Sequence, residues 1–183
     1  MEINKERLAF IVRHEAGHWL AAHVMGMNPK EIYIKIPING LAESAYASTL
    51  SATELMDINS VANYLKSRII TLYAGVYAAN YNRDGFDNEQ VIKDLSSSGG
   101  GYTDYLKIEE LYRLYKNITG DKQDYGKECH EFISNVGDIV VEGYEFTSSL
   151  VDYVLGEARY LGQEILIPKE KVIAIYNKSK EKQ

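Results

Sequence analysis

The sequence predicts one domain, residues 1–183, that is mainly α-helical and carries a small β element. Apolar residues recur at helical spacing in several long segments, whereas residues typical of strands are concentrated in one stretch that ends near residue 50. A hydrophobic content of 45% in a chain of 183 residues is sufficient for one domain with its own core. We therefore expect packed helices with one short pair of strands.

The first helix is predicted over residues 4–27. Its apolar side chains recur at helical spacing, and Gly26 marks its end. The β-branched and aromatic residues of 32–36 and 42–50 then predict a short antiparallel strand pair. Pro37 suits a sheet edge or a strand end, where the missing backbone N–H leaves no ladder bond unmade.

Helices are predicted for most of the remaining chain. In a core helix over 52–81, Ala74, Ala78 and Ala79 form a face of small residues that another helix can approach closely. The elements predicted after it are a turn (82–85), a short helix (88–95), a glycine- and serine-rich loop (96–101), a helix (102–118), a long helical stretch (122–160) and a final helix that Pro168 opens and that runs to about 177.

The charge and the cysteine content narrow the possible partners. A net charge of −6 argues against nucleic acid or an anionic membrane as a partner, because both repel an acidic surface. Cys129 is the only cysteine, so the chain cannot form an internal disulfide. Proteins of reducing compartments usually lack disulfides, so the cysteine content favours such a compartment. The N-terminus lacks a signal-peptide pattern, and no apolar stretch reaches the roughly 18 residues of a membrane span. We therefore expect a cytoplasmic protein without a membrane span.

Three of the 4 histidines lie in the segment RHEAGHWLAAH of the first helix. His14 and His18 are four residues apart, so their side chains leave one face of the helix and can bind one metal ion. Imidazole ligands favour zinc over magnesium or calcium. Glu15 is placed to take a proton from metal-bound water rather than to bind the metal. His23 lies on another face; an alternative interpretation makes His14 and His18 hydrogen-bonded core residues.

A catalytic zinc ion needs a third protein ligand, and the sequence offers several carboxylates. Asp104 follows a glycine-rich loop at a predicted helix start, where its side chain could face inward as a ligand or cap the helix. The residues alone support these two interpretations equally. The rival carboxylates are Asp84, Asp87, Glu89 and Asp94.

Several segments, taken in order, resemble the peptidase domain of FtsH-type ATP-dependent zinc metalloproteases. The segment HEAGH is similar to the zinc-binding helix of that family, and residues 73–79 (YAGVYAA) are similar to its Leu-Ala-Gly-x-Ala-Ala helix. Residues 100–106 (GGYTDYL) are similar to its Gly-Ala-x-x-Asp-Leu segment, whose aspartate binds zinc. The acidic residues that usually follow Leu-Ala-Gly-x-Ala-Ala are replaced here by Ala79 and Asn80.

The resemblance implies a zincin-like helical peptidase domain in which His14, His18 and Asp104 bind zinc and Glu15 is the general base. FtsH proteins also carry a membrane anchor and an ATPase module, but no Gly-x-x-x-x-Gly-Lys-Ser/Thr loop occurs in this sequence. We therefore expect an ATP-independent zinc endopeptidase that hydrolyses unfolded or extended polypeptides, with any ATPase or adaptor on a separate chain. The predicted strand at 42–50 either pairs with an extended substrate or is an ordinary covered edge.

The alternative from another functional class is a catalytically inactive zinc-containing module that binds peptides or regulates a partner. The absence of an ATPase motif favours this alternative, whereas the glutamate in the His-Glu-x-x-His motif favours catalysis, because a purely structural site has no use for a base. The residues specify no oligomeric state.

Overall fold

Seven helices and five short strands make up the described part of the chain, which comprises residues 2–38, 45–49, 54–120 and 125–181 of a computed structural model. The predicted fold class, mainly helical with a small antiparallel β element, is confirmed. In chain order the elements are α1 (Lys5–Val24), β1 (Ile32–Lys35), β2 (Ala45–Ala47), α2 (Ile58–Ala79), β3 (Tyr81–Asn82), β4 (Gly85–Phe86), α3 (Asn88–Leu95), α4 (Tyr102–Thr119), α5 (Tyr125–Glu142), α6 (Tyr144–Glu157), β5 (Glu164–Ile167) and α7 (Lys169–Lys180).

α1 begins and ends at local sequence signals. The side chain of Asn4 accepts a hydrogen bond of 2.9 Å from the backbone N–H of Arg7, and Gly26 beyond the helix adopts a φ of 71°. Every residue of 15–22 is buried. This half of α1 therefore runs through the interior, where each polar side chain needs a partner.

α1 packs closely against α2. A Cβ added at Gly17 would lie 2.6 Å from the Cβ of Ala78, so the close approach requires glycine on α1 and a small residue on α2. α2 begins later than predicted, because Asp57 and Ser60 form a capping box that fixes its first turn. Residues 50–53, which include the predicted start, lie outside the described residues.

The larger sheet has the strand order β2-β1-β5, with both pairings antiparallel. The predicted pair corresponds to β1 and β2, although residues 42–44 and 50 of the predicted second strand lie outside the described residues. The third strand, β5, is absent from the prediction. Its alternating burial is not visible in the sequence, because Leu166 is apolar and yet 61% exposed. As a result β1 is the central strand, and Pro37 lies beyond its end.

The predicted long helical stretch over 122–160 comprises two helices, α5 and α6. α5 and α6 meet at Gly143, where a Cβ would overlap the side chain of Leu20 on α1. The contact with α1 thus requires a glycine at this position. The predicted turn at 82–85 is the tip of the β3–β4 hairpin, and Pro168 caps the N-terminus of α7.

Two hydrophobic clusters meet at α1. Leu8, Val12 and Trp19 of α1 pack with the three-stranded sheet, α6 and α7. Ala21 belongs to the second cluster, which α2, α4 and α5 supply in large part. Both clusters therefore fix the orientation of α1. None of the helices in the described ranges combines the length and the apolar content that a membrane crossing requires.

Candidate metal centre

Three predicted ligands lie together between α1 and α4. The Nε2 atoms of His14 and His18 are 3.0 Å apart. Oδ2 of Asp104 lies 3.1 Å from the Nε2 of His14 and 3.3 Å from that of His18. Within the described ranges, these three side chains form the group that is placed to hold a metal ion.

The spacing of the three atoms fits a tetrahedral ion. Ligand atoms bound about 2.0–2.1 Å from a tetrahedral zinc ion lie about 3.3 Å from one another. The observed separations of 3.0 to 3.3 Å are close to this value. Without a metal ion, hydrogen bonds join the three side chains, and a cation could take the place of the protons that they share. The buried group could therefore bind a metal ion.

His18 is held from behind by α2. Its Nδ1–H donates a hydrogen bond of 2.8 Å to the carbonyl oxygen of Thr71, so Nε2 is the ring nitrogen that faces His14 and Asp104. The imidazole lies directly over Gly75, where an added Cβ would be 2.5 Å from Nε2. The ring therefore occupies space that any larger residue at position 75 would fill.

The position of Asp104 follows from the start of α4. The helix begins after Gly101, whose backbone N–H donates a hydrogen bond of 3.0 Å to the carbonyl oxygen of Asp94. No side chain caps this helix, so Asp104 does not act as the cap that was its alternative interpretation. Its carboxylate, in the first turn, is buried and faces the histidines.

The electrostatics of the group favour a positive charge at its centre. Burial opposes ionisation of Asp104, but the hydrogen bonds and charges of His14 and His18 outweigh it and hold the pKa of Asp104 well below its usual range. Burial likewise opposes a charge on His18, yet the hydrogen bond and charge of Asp104 and the charge of Glu15 raise the pKa of His18 to about 9. Without a metal ion, the imidazole of His18 would therefore carry a positive charge at neutral pH.

Glu15 lies beside the ligands and is not one of them. The residue is 7% exposed and lines the same cleft as His14, His18 and Asp104, but it does not belong to the metal-ligand group. The cleft has a volume of about 660 Å³, and α1, β2, α2 and α4 form its walls. A carboxylate at this place can exchange protons with molecules that bind in the cleft.

The four rival carboxylates lie elsewhere. Asp94 is buried, and its side chain accepts hydrogen bonds from Asn80 Nδ2 at 2.8 Å and Gln90 Nε2 at 2.7 Å. Asp87 caps α3, whereas Asp84 and Glu89 are exposed. Asp94 thus joins the end of α2 to α3 through the amide of Asn80.

The other two histidines do not reach the site. His23 stacks on Trp19 with ring centroids 4.9 Å apart and contacts Tyr176 edge to face, which agrees with its predicted position on another face of α1. His130 is exposed on α5. The metal-ligand group contains neither residue.

Sequence reasoning missed the contribution of α2 to the site. Thr71 acts through its backbone carbonyl, which no residue type reveals. Arg68 lies on the wall of the cleft. Its spacing from Gly75, seven residues or about two helical turns, places both on one face of α2 and is the signal that could have identified it.

Comparisons with known proteins identify no relative of this chain. No family model matches the chain, and no curated protein matches its sequence.

Proposed function

We propose that this protein is a zinc-dependent endopeptidase of zincin-like type, in which His14, His18 and Asp104 bind the zinc ion. The observation that supports the proposal most directly is the convergence of three ligand atoms, 3.0 to 3.3 Å apart, at the wall of a cleft that Glu15 also lines. Two imidazoles and one carboxylate are a ligand set typical of catalytic zinc.

The chain leaves room for substrate at the metal. The described metal-ligand group has three members, and the cleft lies beside them. Catalytic zinc sites keep one position open in this way, whereas structural sites are closed by a fourth protein ligand. A zinc ion bound here would polarise a peptide carbonyl and lower the pKa of a coordinated water toward about 7.

Glu15 moves the proton in this proposal. Its carboxylate takes a proton from the attacking water and then delivers it to the amine that leaves. The turn of α1 between His14 and His18 places the carboxylate beside the ligands without making it a ligand. This placement explains why a glutamate is buried in an otherwise apolar part of the helix.

β2 supplies a surface for an extended polypeptide. It pairs with β1 on one side, and in the described sheet no strand pairs with its other side. Ala45 to Thr49 line the cleft, so a polypeptide added along β2 would pass beside the ligands. Pairing of this kind reads the backbone and accepts many sequences. The proposed substrate is therefore an unfolded or extended polypeptide.

The test combines zinc analysis with hydrolysis of casein. The wild-type protein should contain about one zinc ion per chain and degrade casein. Glu15→Gln should retain zinc but lower kcat/KM by about 10²–10⁴-fold, because the variant lacks the base. Glu89→Gln, the same change at an exposed rival carboxylate, is the matched control and should remain active. Full activity of Glu15→Gln would contradict the mechanism, and zinc without hydrolysis in the wild type would favour the inactive peptide-binding or regulatory module.

A further inference from the structure

Cations surround the candidate metal centre. Arg7 of α1, Arg68 of α2 and Lys107 of α4 line the cleft, which also contains the carboxylates of Glu15 and Asp104. A divalent ion would balance these two carboxylates, so the charges of Arg68 and Lys107 would remain. The cleft would then be positive in a chain whose net charge is −6. Such a local field attracts anionic groups.

Arg68 is the cation among these three that lies deepest. It is half-buried, whereas Arg7 and Lys107 are exposed. Its Nη1 donates a hydrogen bond of 2.8 Å to the hydroxyl of Thr49, a buried residue at the end of β2. Burial lowers the pKa of Arg68, and the charges of Tyr64 and Asp104 only partly oppose this effect. Within the described ranges no carboxylate forms an ion pair with Arg68.

The hydrogen bond to Thr49 uses only one of the N–H donors of the guanidinium. An arginine carries five N–H donors in a planar fork, and a neutral hydroxyl accepts only one of them here. The bond restrains the guanidinium between α2 and the segment that follows β2. A fork restrained in this way at the wall of a cleft is suited to two parallel hydrogen bonds with a carboxylate.

We propose that Arg68 is a specificity-determining residue that binds a substrate carboxylate next to the bond to be cleaved. This inference rests on the proposed peptidase function and names the class of polypeptide that the site prefers, one with an Asp or Glu side chain or a chain-terminal carboxylate near the cleaved bond. Thr49 acts as a positioning residue, because it orients Arg68 from the strand along which the polypeptide lies. Arg7 and Lys107, nearer to solvent, add attraction at longer range.

Matched peptides provide the test. One series places a single Glu at successive positions of a fluorescent peptide, and its partner series places Gln at the same positions. A further pair differs in a C-terminal acid or amide, which distinguishes the two sources of a carboxylate. Affinity is measured by anisotropy with zinc-loaded Glu15→Gln protein, and kcat and KM are measured with zinc-loaded wild type. We expect one position to favour the carboxylate by about tenfold in affinity, as for a charge-assisted hydrogen bond.

Variants at position 68 assign the preference. Arg68→Gln should abolish it, and Arg68→Glu should reverse it toward a peptide with Lys at the same position. Arg113→Gln also removes an arginine charge, at a side chain that is 79% exposed on α4 and not part of the cleft lining, and should keep the preference. Zinc content and circular dichroism establish that each variant is folded, and Arg68→Lys, which keeps the charge and loses the fork, should retain a weaker preference.

The outcomes separate the two proposals. A wild type that shows no carboxylate preference, or a preference that survives in Arg68→Gln, overturns the role of Arg68 while hydrolysis still supports the peptidase. Carboxylate-selective binding without hydrolysis in the zinc-loaded wild type removes the peptidase and leaves Arg68 as the recognition residue of a peptide-binding site.

Discussion

His18 is held by α2 on two sides, by a hydrogen bond to the backbone of Thr71 and by contact with Gly75. The pair His14 and His18 is readable from sequence, because both lie on one helix and their spacing is a local property. The supports of His18 are not readable in the same way, since they come from a helix whose packing against α1 is set by tertiary contacts.

Gly75→Ala tests how strictly this contact positions the ligand. The added Cβ would lie 2.5 Å from Nε2 of His18, so the ring must leave its present position. We expect the free energy of unfolding to fall by about 1–3 kcal/mol, as for other overpacked sites. Zinc affinity should fall by about 10–100-fold, the usual effect of disturbing a ligand's support. Denaturant titration measures the free energy of unfolding, and competition with a chelator measures the zinc affinity.

Gly137→Ala is the matched control for that substitution. Gly137 also lies within a helix, α5, and an added Cβ would meet no atom within 4 Å. It should leave zinc affinity unchanged and stabilise the fold by about 0.4–1 kcal/mol, because alanine restricts the unfolded chain. Equal zinc affinities of the two variants would show that Gly75 does not position His18.

At the scale of elements, α3 and the loop after it place Asp104. Asp94 joins this region to α2 through Asn80, and its own backbone receives the N–H of Gly101 at the start of α4. The sequence left Asp94 as a rival ligand, because a carboxylate near a glycine-rich loop has the same pattern whether it binds a metal or an amide. Only the fold distinguishes the two roles.

Asp94→Ala should therefore weaken a metal site that it does not touch. The amides of Asn80 and Gln90 lose their acceptor, which should lower the free energy of unfolding by about 1–3 kcal/mol. The first turn of α4, which carries Asp104, is then less well fixed in position. Zinc affinity should therefore decline together with the free energy of unfolding. Calorimetric zinc titration and urea denaturation measure the two effects. Asp84→Ala, at an exposed turn, should stay within about 0.5 kcal/mol of wild type, and an unaltered zinc affinity in Asp94→Ala would refute the coupling.

Some of the elements are determined by neighbouring residues in the sequence, and others by contacts with distant residues. α1 and α3 agree well with prediction, since a side-chain cap begins each of them, and α4 agrees because a glycine lies at each of its ends. The space at Gly143 is limited by the side chain of Leu20, far away in the sequence. β5 forms by pairing with β1. Its buried and exposed residues alternate, but the sequence does not show this alternation because the exposed Leu166 is apolar. Such features arise from contacts that no short pattern encodes.

At the scale of the whole molecule, the site lies between helices that belong to different parts of the core. α1 takes part in both hydrophobic clusters, whereas α4 packs with α2 in the second. The assignment of Asp104 from sequence relied on a resemblance, because the distance along the chain from His14 to Asp104 exceeds the range of any local argument. An ion bound by both helices would join them directly.

Zinc should therefore stabilise the entire fold. At a free concentration 100 times the dissociation constant, binding contributes about 2.7 kcal/mol, which corresponds to a rise in Tm of roughly 5–10 °C for a chain of this size. Differential scanning calorimetry of chelator-treated and zinc-loaded protein measures the rise. Asp104→Ala should show little of it, and magnesium should not reproduce it in the wild type. An identical Tm with and without zinc would exclude a tight site between the helices.

Trp19 gives the molecule an optical reporter at the centre of this arrangement. It is the chain's single tryptophan, it follows His18 directly, and it is fully buried against Phe146 and His23. Its indole N–H donates a hydrogen bond of 2.8 Å to the carbonyl oxygen of Lys30, so the ring is fixed between α1 and the approach to β1. The intrinsic fluorescence of the unlabelled protein thus monitors the helix that carries two of the proposed metal ligands. A stopped-flow trace of emission after rapid addition of zinc would measure how fast the surroundings of Trp19 change when the ion binds.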